Sequence, residues 1–169
     1  FVMLSVDGLG MDGEAFADLP TVAGQPAETG VLARHAGQAG VAAFLAKGRR
    51  VRARLLARHA ELRWLAQGLA DLTRVGTLVD AATVGEGCGL ARVETARGTL
   101  LHRIELAGDR VGRYLIVAPT EWNFHPQGAF VREITGCPVA THADALLAAG
   151  RLALSLDPCV PYAWSVDDA

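Results

Sequence analysis

From Val51 to Leu72, large apolar residues recur in alternating steps of four and three: Val51, Leu55, Leu62, Leu65, Leu69 and Leu72, with Arg58 at the one skipped position. Steps of that size place one side chain per turn on a single stripe, the pattern an α-helix presents to a neighbour. The spacing predicts a long helix packed through a leucine seam. A guanidinium buried in that seam would need a carboxylate or carbonyl partner. The expected solution for Arg58 is a bent stem that carries its charge to solvent. Upstream, a helical region is expected from about Thr29 to about Lys47. It would align Leu32, Ala36, Ala39 and Ala43 on one face, small enough for close approach of a partner helix. Before it, DLPTVAGQPAETG at 18–30 reads as an ordered loop, given its two prolines and two glycines.

Beyond residue 90 the pattern changes to strands. ARVE, TLLHRIEL, a turn at AGDR and then VGRYLIV form a short antiparallel meander, with Gly108 and Asp109 supplying the turn. PTEWNFHPQG at 119–128 is expected to be irregular, since prolines at both ends deny regular pairing. THAD at 141–144 is a capping-box pattern that starts a last helix, which Pro158 stops. The expected fold is mainly α with a small antiparallel β-sheet (α+β). It forms a single domain over 1–169, with helices about 29–73, the meander about 90–117 and a helix about 142–156.

A chain of 169 residues with 51% hydrophobic content can bury one sizeable core. Its net charge of -2 carries no signature of nucleic-acid binding. No apolar run approaches the roughly 18 residues that would argue for a membrane span. The opening FVMLSVDGLGMDG lacks a basic flank, so it does not read as a signal peptide, and Phe1 in place of methionine suggests a segment of a longer protein. The three cysteines, Cys88, Cys137 and Cys159, form neither a disulfide framework nor a CxxC pair, and free thiols fit a cytoplasmic location. The run from Lys47 to Arg63 is locally basic. A solvated helix face is the expected reading, and a docking surface for an acidic partner protein is the alternative.

Taken singly, the polar candidates have ordinary structural explanations. Cys159 follows Asp157-Pro158 at a turn, where an isolated cysteine is more often a small hydrophobe than a ligand. Arg97 beside Gly98 could be a salt-bridge partner or an anion-binding group, and His102 on a strand is by default a core or surface histidine. Order and wording change that reading. ETARGTLLH at 94–102, APTEWN at 118–123 and LDPC at 156–159 follow LPTVAGQPAETGVLAR in sequence. This series resembles the large subunit of nickel-iron hydrogenases, whose patterns there are close to P-x-x-G-x-P-x-E-x-G-P-L-A-R, EAPRGxLxH, PTTWN or PSTWN, and DPCxxCxxH. The resemblance covers about residues 19–165 and implies the C-terminal part of such a subunit.

In that family two cysteines of RxCGxC and two of DPCxxC hold nickel and iron, and the iron carries two cyanides and one carbon monoxide. The resemblance implies that Cys159 is a metal ligand. It implies cyanide donors at Arg97 and at Thr120, which follows Pro119. A guanidinium and a hydroxyl in a dry pocket suit a cyanide nitrogen, a strong acceptor. The departures bear on function. Tyr162 stands where the family has the thiolate bridging nickel and iron, and a phenol with pKa near 10 is a poor bridge for two soft metals. Ser165 stands at the position of the terminal histidine, Ala96 replaces the proline of EAPRG, and RxCGxC is absent.

This pattern resembles the HupK/HoxV branch of the family, the accessory proteins of hydrogenase maturation. The resemblance implies a non-catalytic scaffold or chaperone for the Fe(CN)2CO unit. Its partners would be the maturation proteins and the hydrogenase large-subunit precursor. A catalytic large subunit and a metal-free structural relative are the alternatives; Cys88 and Cys137, outside every motif, are read as packing residues. Large subunits lose a tail after the terminal histidine once nickel is inserted. With Ser165 there, no cleavage is expected, and intact-mass measurement of the native protein should find Val166 and the residues after it still attached.

Overall fold

Alternating burial along residues 88–117 closes a four-stranded antiparallel sheet in the computed structural model, which describes residues 13–69, 71 and 78–167. The strands are β1 (Val79–Gly85), β2 (Cys88–Glu94), β3 (Thr99–Ala107) and β4 (Arg110–Val117), in spatial order β1-β2-β3-β4. The last three are the expected meander. β1 is an addition, and its VDAATVG sequence is alanine-rich with a glycine end, a weak strand signal. It pairs Val79 with Val93 and Ala81 with Ala91. One face of the sheet buries Leu90, Leu101, Leu115 and Val117 against Trp122 and Ala17. On the other face the His102 ring stacks on Tyr114, with Nδ1 2.6 Å from the phenol oxygen, so His102 is a surface histidine.

Seven helices flank the sheet among the described residues: α1 (Glu14–Asp18), α2 (Val31–His35), α3 (Ala39–Ala46), α4 (Arg50–Gly68), α5 (Pro119–Asn123), α6 (Ala129–Thr135) and α7 (His142–Leu156). The region expected as one helix up to Lys47 is two, because Gln38 is extended and breaks the chain between α2 and α3. Leu32 is buried as expected, whereas Ala39 and Ala43 face outward and Val41 takes the inner position. The close approach occurs at Gly40, where an added Cβ would lie 3.1 Å from Leu56 Cδ2. PTEWN, expected to be irregular, forms α5. Pro119 occupies the start of the helix, where its missing N–H removes no internal bond. α7 begins as read: Thr141 Oγ1 accepts from the Asp144 N–H at 3.1 Å, and the helix ends at left-handed Asp157 before Pro158.

Helix α4 forms where the leucine spacing put it, but a different face turns inward. Leu55, Leu62 and Leu69 are 50%, 63% and 79% exposed, while Ala53 and Ala57 are fully buried together with Arg54 and Glu61. Leu72 and residue 73 lie outside the described residues, as do residues 1–12, which carry most of the segment read above as lacking signal-peptide character. Two ionic networks decide the orientation. Arg54 donates from Nε to Glu28 at 2.7 Å, and its other nitrogens meet Glu133 and Ser155 Oγ. Arg34 donates to Glu61 at 2.5 Å and to Glu94 at 2.7 Å. Burial pulls both guanidinium pKa values down, but hydrogen bonds and opposite charge more than offset it, and both end above the ordinary arginine value.

Arg58 also departs from expectation. Its Nη2 donates to the Ser155 carbonyl at 3.2 Å and lies 3.9 Å from Asp157, which ties α4 to the end of α7. Lys47, Arg49, Arg52 and Arg63 do form an exposed basic face. No helix among the described residues is long and apolar enough to cross a membrane. Replacing Arg54 by methionine would leave Glu28 and Glu133 without their main cation in a buried setting. Urea denaturation should then show a loss of about 3–5 kcal/mol. Leu62→Ser, at an exposed position, should change stability by no more than about 0.5 kcal/mol in the same assay.

Candidate functional site

The β2–β3 connection is a tight turn in which Thr95 N donates to the Gly98 carbonyl at 2.9 Å and Thr95 Oγ1 donates to the same oxygen at 2.8 Å. It displays Ala96 and Arg97 at its tip. Gly98 has φ +149°, and an added Cβ would lie 2.6 Å from Thr29 Oγ1 and 3.0 Å from Pro119 Cβ. The backbone therefore passes through a gap that fits only glycine. Asn123, at the end of α5, clamps the turn from below. Its Oδ1 accepts from the Thr29 N–H at 3.0 Å and its Nδ2 donates to the Arg97 carbonyl at 3.1 Å. Thr29 Oγ1 in turn accepts from Thr99 N at 3.2 Å, joining the loop before α2 to the start of β3.

On this frame Arg97 projects its guanidinium toward the end of α7, with Nε 3.4 Å from Asp157 Oδ2. Two residues beyond Asp157, the Cys159 sulfur lies 3.4 Å from Thr120 Oγ1. Pro119 is buried beneath, at the first position of α5. The structure thus brings Arg97, Thr120, Pro119 and Cys159 to one locus, although they come from three separate stretches of chain. The surroundings are not dry. The Arg97 side chain is 50% exposed, and Cys159 is exposed. Both side chains are therefore open to solvent. Arg97 makes no side-chain hydrogen bond to another described residue, which leaves the guanidinium protons available to a ligand.

The C-terminal stretch is held by rings. Trp164 stacks on Phe130 with centroids 5.1 Å apart, Phe130 stacks on Phe124 at 5.2 Å, and Tyr162 packs against Trp164 at 5.3 Å. Trp164 therefore anchors the segment to α6 through Phe130, and Tyr162 packs on the tryptophan within the segment. Ser165 is exposed, as is Ala96. Cys88 sits at the start of β2 and Cys137 just after α6, both partly buried. Among the described residues no group of three or more histidine, cysteine or acidic side chains is placed to hold a metal ion. Cys159 offers a single coordination position. Thr29, Asn123 and Asp157 were not singled out by the sequence reading, although each lies inside a quoted motif: AETG, PTEWN and LDPC.

The chain belongs to the nickel-dependent hydrogenase family, whose model matches residues 23–164. It is 41% identical over 165 residues to the hydrogenase expression/formation protein HupK of Rhizobium leguminosarum bv. viciae, covering 94% of this chain and 43% of that protein. It is 38% identical to the HupK protein of Bradyrhizobium diazoefficiens, with 94% of this chain and 44% of that protein covered. The HoxV protein of Cupriavidus necator is 42% identical over 86 residues, covering 48% of this chain and 22% of its own length. The chain thus spans less than half the length of these relatives.

Gly98 provides a test of the frame. Gly98→Ala forces a Cβ into Thr29 Oγ1 at a backbone angle that side chains avoid, which should cost about 1–3 kcal/mol. Chemical denaturation should report that loss. Ala96→Gly at the exposed tip should fall within about 1 kcal/mol of the parent protein.

Proposed function

We propose that this chain is the C-terminal segment of an accessory protein of nickel-iron hydrogenase maturation. In this reading it is a non-catalytic scaffold for the Fe(CN)2CO unit before its transfer to the hydrogenase large-subunit precursor. The observation that carries the reading is the contact of Thr120 Oγ1 with the Cys159 sulfur, with Arg97 held alongside by Asp157. The relatives' description as hydrogenase expression/formation proteins agrees with it.

The donor set suits such cargo. A thiolate is a soft ligand for iron, and the cyanide nitrogens are anionic acceptors for the guanidinium and the hydroxyl. Asp157 would position Arg97 by its ion pair, and the Asn123 clamp on the Arg97 carbonyl would fix the turn from which it projects. Tyr162 supplies no second thiolate, so this chain offers nothing to bridge a nickel ion to the iron. The same deficit disfavours hydrogen turnover. An open site also suits an intermediate carrier, which must release what it holds. Further ligands to the iron would come from the maturation partners or from the rest of a longer protein, in the cytoplasm where the thiol stays reduced.

The test is infrared spectroscopy with metal analysis of the full-length protein purified from a host competent in hydrogenase maturation. Iron with cyanide and carbonyl bands is expected, without nickel. Cys159→Ala should remove the bands and lower hydrogenase maturation, while the protein remains folded. Arg97→Leu should keep weakened bands, since a hydrogen bond to a charged group contributes about 1.5–3 kcal/mol. Cys88→Ala and Cys137→Ala should leave them unchanged. A Cys159→Ala protein with full bands and normal maturation would overturn the assignment, and stoichiometric nickel would favour a catalytic subunit.

A further inference from the structure

Away from the Arg97–Cys159 locus, an open groove of about 540 Å³ runs between the start of α4, α6 and α7. That volume is in the range of sites that take a few side chains or a small ligand. Val51, Ile134, Ala148 and Leu152 give it an apolar floor, and Arg49, Arg52 and Arg151 stand around it. All three arginines are exposed, and none of their side chains has an ion-pair or hydrogen-bond partner among the described residues. Arg50 and Glu133 also line the groove, but they are paired with each other at 2.8 Å and so contribute no free charge.

The concentration of charge is local. The whole chain carries 16 lysines and arginines against 18 acidic residues. Three of those cations border one apolar groove, and no acidic residue lies in the first turn of α4 to balance them. The positive end of the α4 dipole adds to the same field. A plain solvated basic face needs no recess with an apolar floor. Polyanions such as nucleic acid would use the cations and leave that floor bare.

We infer that this groove docks a peptide segment of a partner protein in which an apolar side chain is flanked by carboxylates. The apolar side chain lies on Val51, Ile134 and Leu152, and the flanking carboxylates meet Arg49, Arg52 and Arg151 in the forked geometry that guanidinium favours. Bordering charges of this kind speed encounter and make binding salt-dependent, and the buried side chain sets the register. The groove is independent of the iron site, so its failure and that of the iron-unit reading are distinguishable.

The probe is a fluorescein-labelled peptide of leucines flanked by aspartates and glutamates, followed by fluorescence anisotropy on the folded protein. Saturable binding is expected, weakening as salt rises. The triple variant Arg49→Glu, Arg52→Glu, Arg151→Glu should bind at least tenfold more weakly. Its fold, checked by circular dichroism, should persist, because all three positions are exposed and carboxylates suit the start of α4. Replacing the leucines of the peptide by serine should weaken binding to the same degree. The inference would be overturned by no binding to the parent protein, unchanged binding by a folded triple variant, or equal binding of the serine peptide. Equal affinity for anionic lipid vesicles or a single-stranded oligonucleotide would overturn it as well, since either would show a surface that reads charge alone.

Discussion

One buried side-chain amide holds the candidate site together. Asn123 accepts a hydrogen bond from the Thr29 backbone N–H and donates one to the Arg97 carbonyl, so it spans the loop before α2 and the β2–β3 turn. Its residue is 3% exposed, and in such a setting each missing partner would leave a buried polar group unsatisfied. Gly98 and Gly30 make the arrangement possible. An added Cβ at Gly30 would lie 3.0 Å from the Arg97 carbonyl, the same oxygen that Asn123 holds. Small residues let three backbones meet, and the amide then fixes their order. Arg97 and Thr120 acquire their places from this junction, Arg97 at the tip of the clamped turn and Thr120 one position after buried Pro119.

A second layer of constraint comes from charge inside the helical part. Glu28 lies one residue before Thr29 and receives Arg54 from the buried face of α4. The loop that meets Asn123 is thus tied by its neighbouring residue to the longest helix. Arg34 performs a similar service between α4 and the sheet, bonding Glu61 and Glu94. Glu94 also accepts from Arg92 and from Thr99 Oγ1, at the strand ends that bracket the Arg97 turn. Buried ion pairs of this type add little net stability compared with apolar packing, but breaking one is costly. Their geometric demand therefore fixes which way α4 faces.

That demand explains what the sequence could and could not reveal. The meander was legible because β-branched and aromatic residues alternate with polar ones and Gly108-Asp109 marks the turn. The cap of α7 was legible because Thr141 and Asp144 act over a few residues. The inward face of α4 was not, since hydropathy assigns leucine to the core and arginine to water. It cannot see that Glu28 and Glu133, distant in sequence, await Arg54. The seam's outward turn follows from the same cause. β1 was missed because its alanines read weakly by themselves and pair only once β2 is present. The four residues proposed for the site, Arg97, Pro119, Thr120 and Cys159, could be picked out by motif order, whereas the amide clamp beneath them required knowing which backbones meet.

The stretch after Cys159 is held by aromatic contacts. Where the family has a second thiolate, Tyr162 lies on Trp164, and the ring series continues through Phe130 to Phe124 at the end of α5. The stretch around Cys159 is therefore anchored at both ends without metal. Asp157 holds one end through Arg97 and Arg58, and the rings hold the other. A metal bridge is a strong constraint that ties folding to loading. Ring stacking contributes about 0.5–1.5 kcal/mol per pair beyond area burial and needs no metal. The aromatic contacts hold this stretch in place and leave the Cys159 thiol exposed.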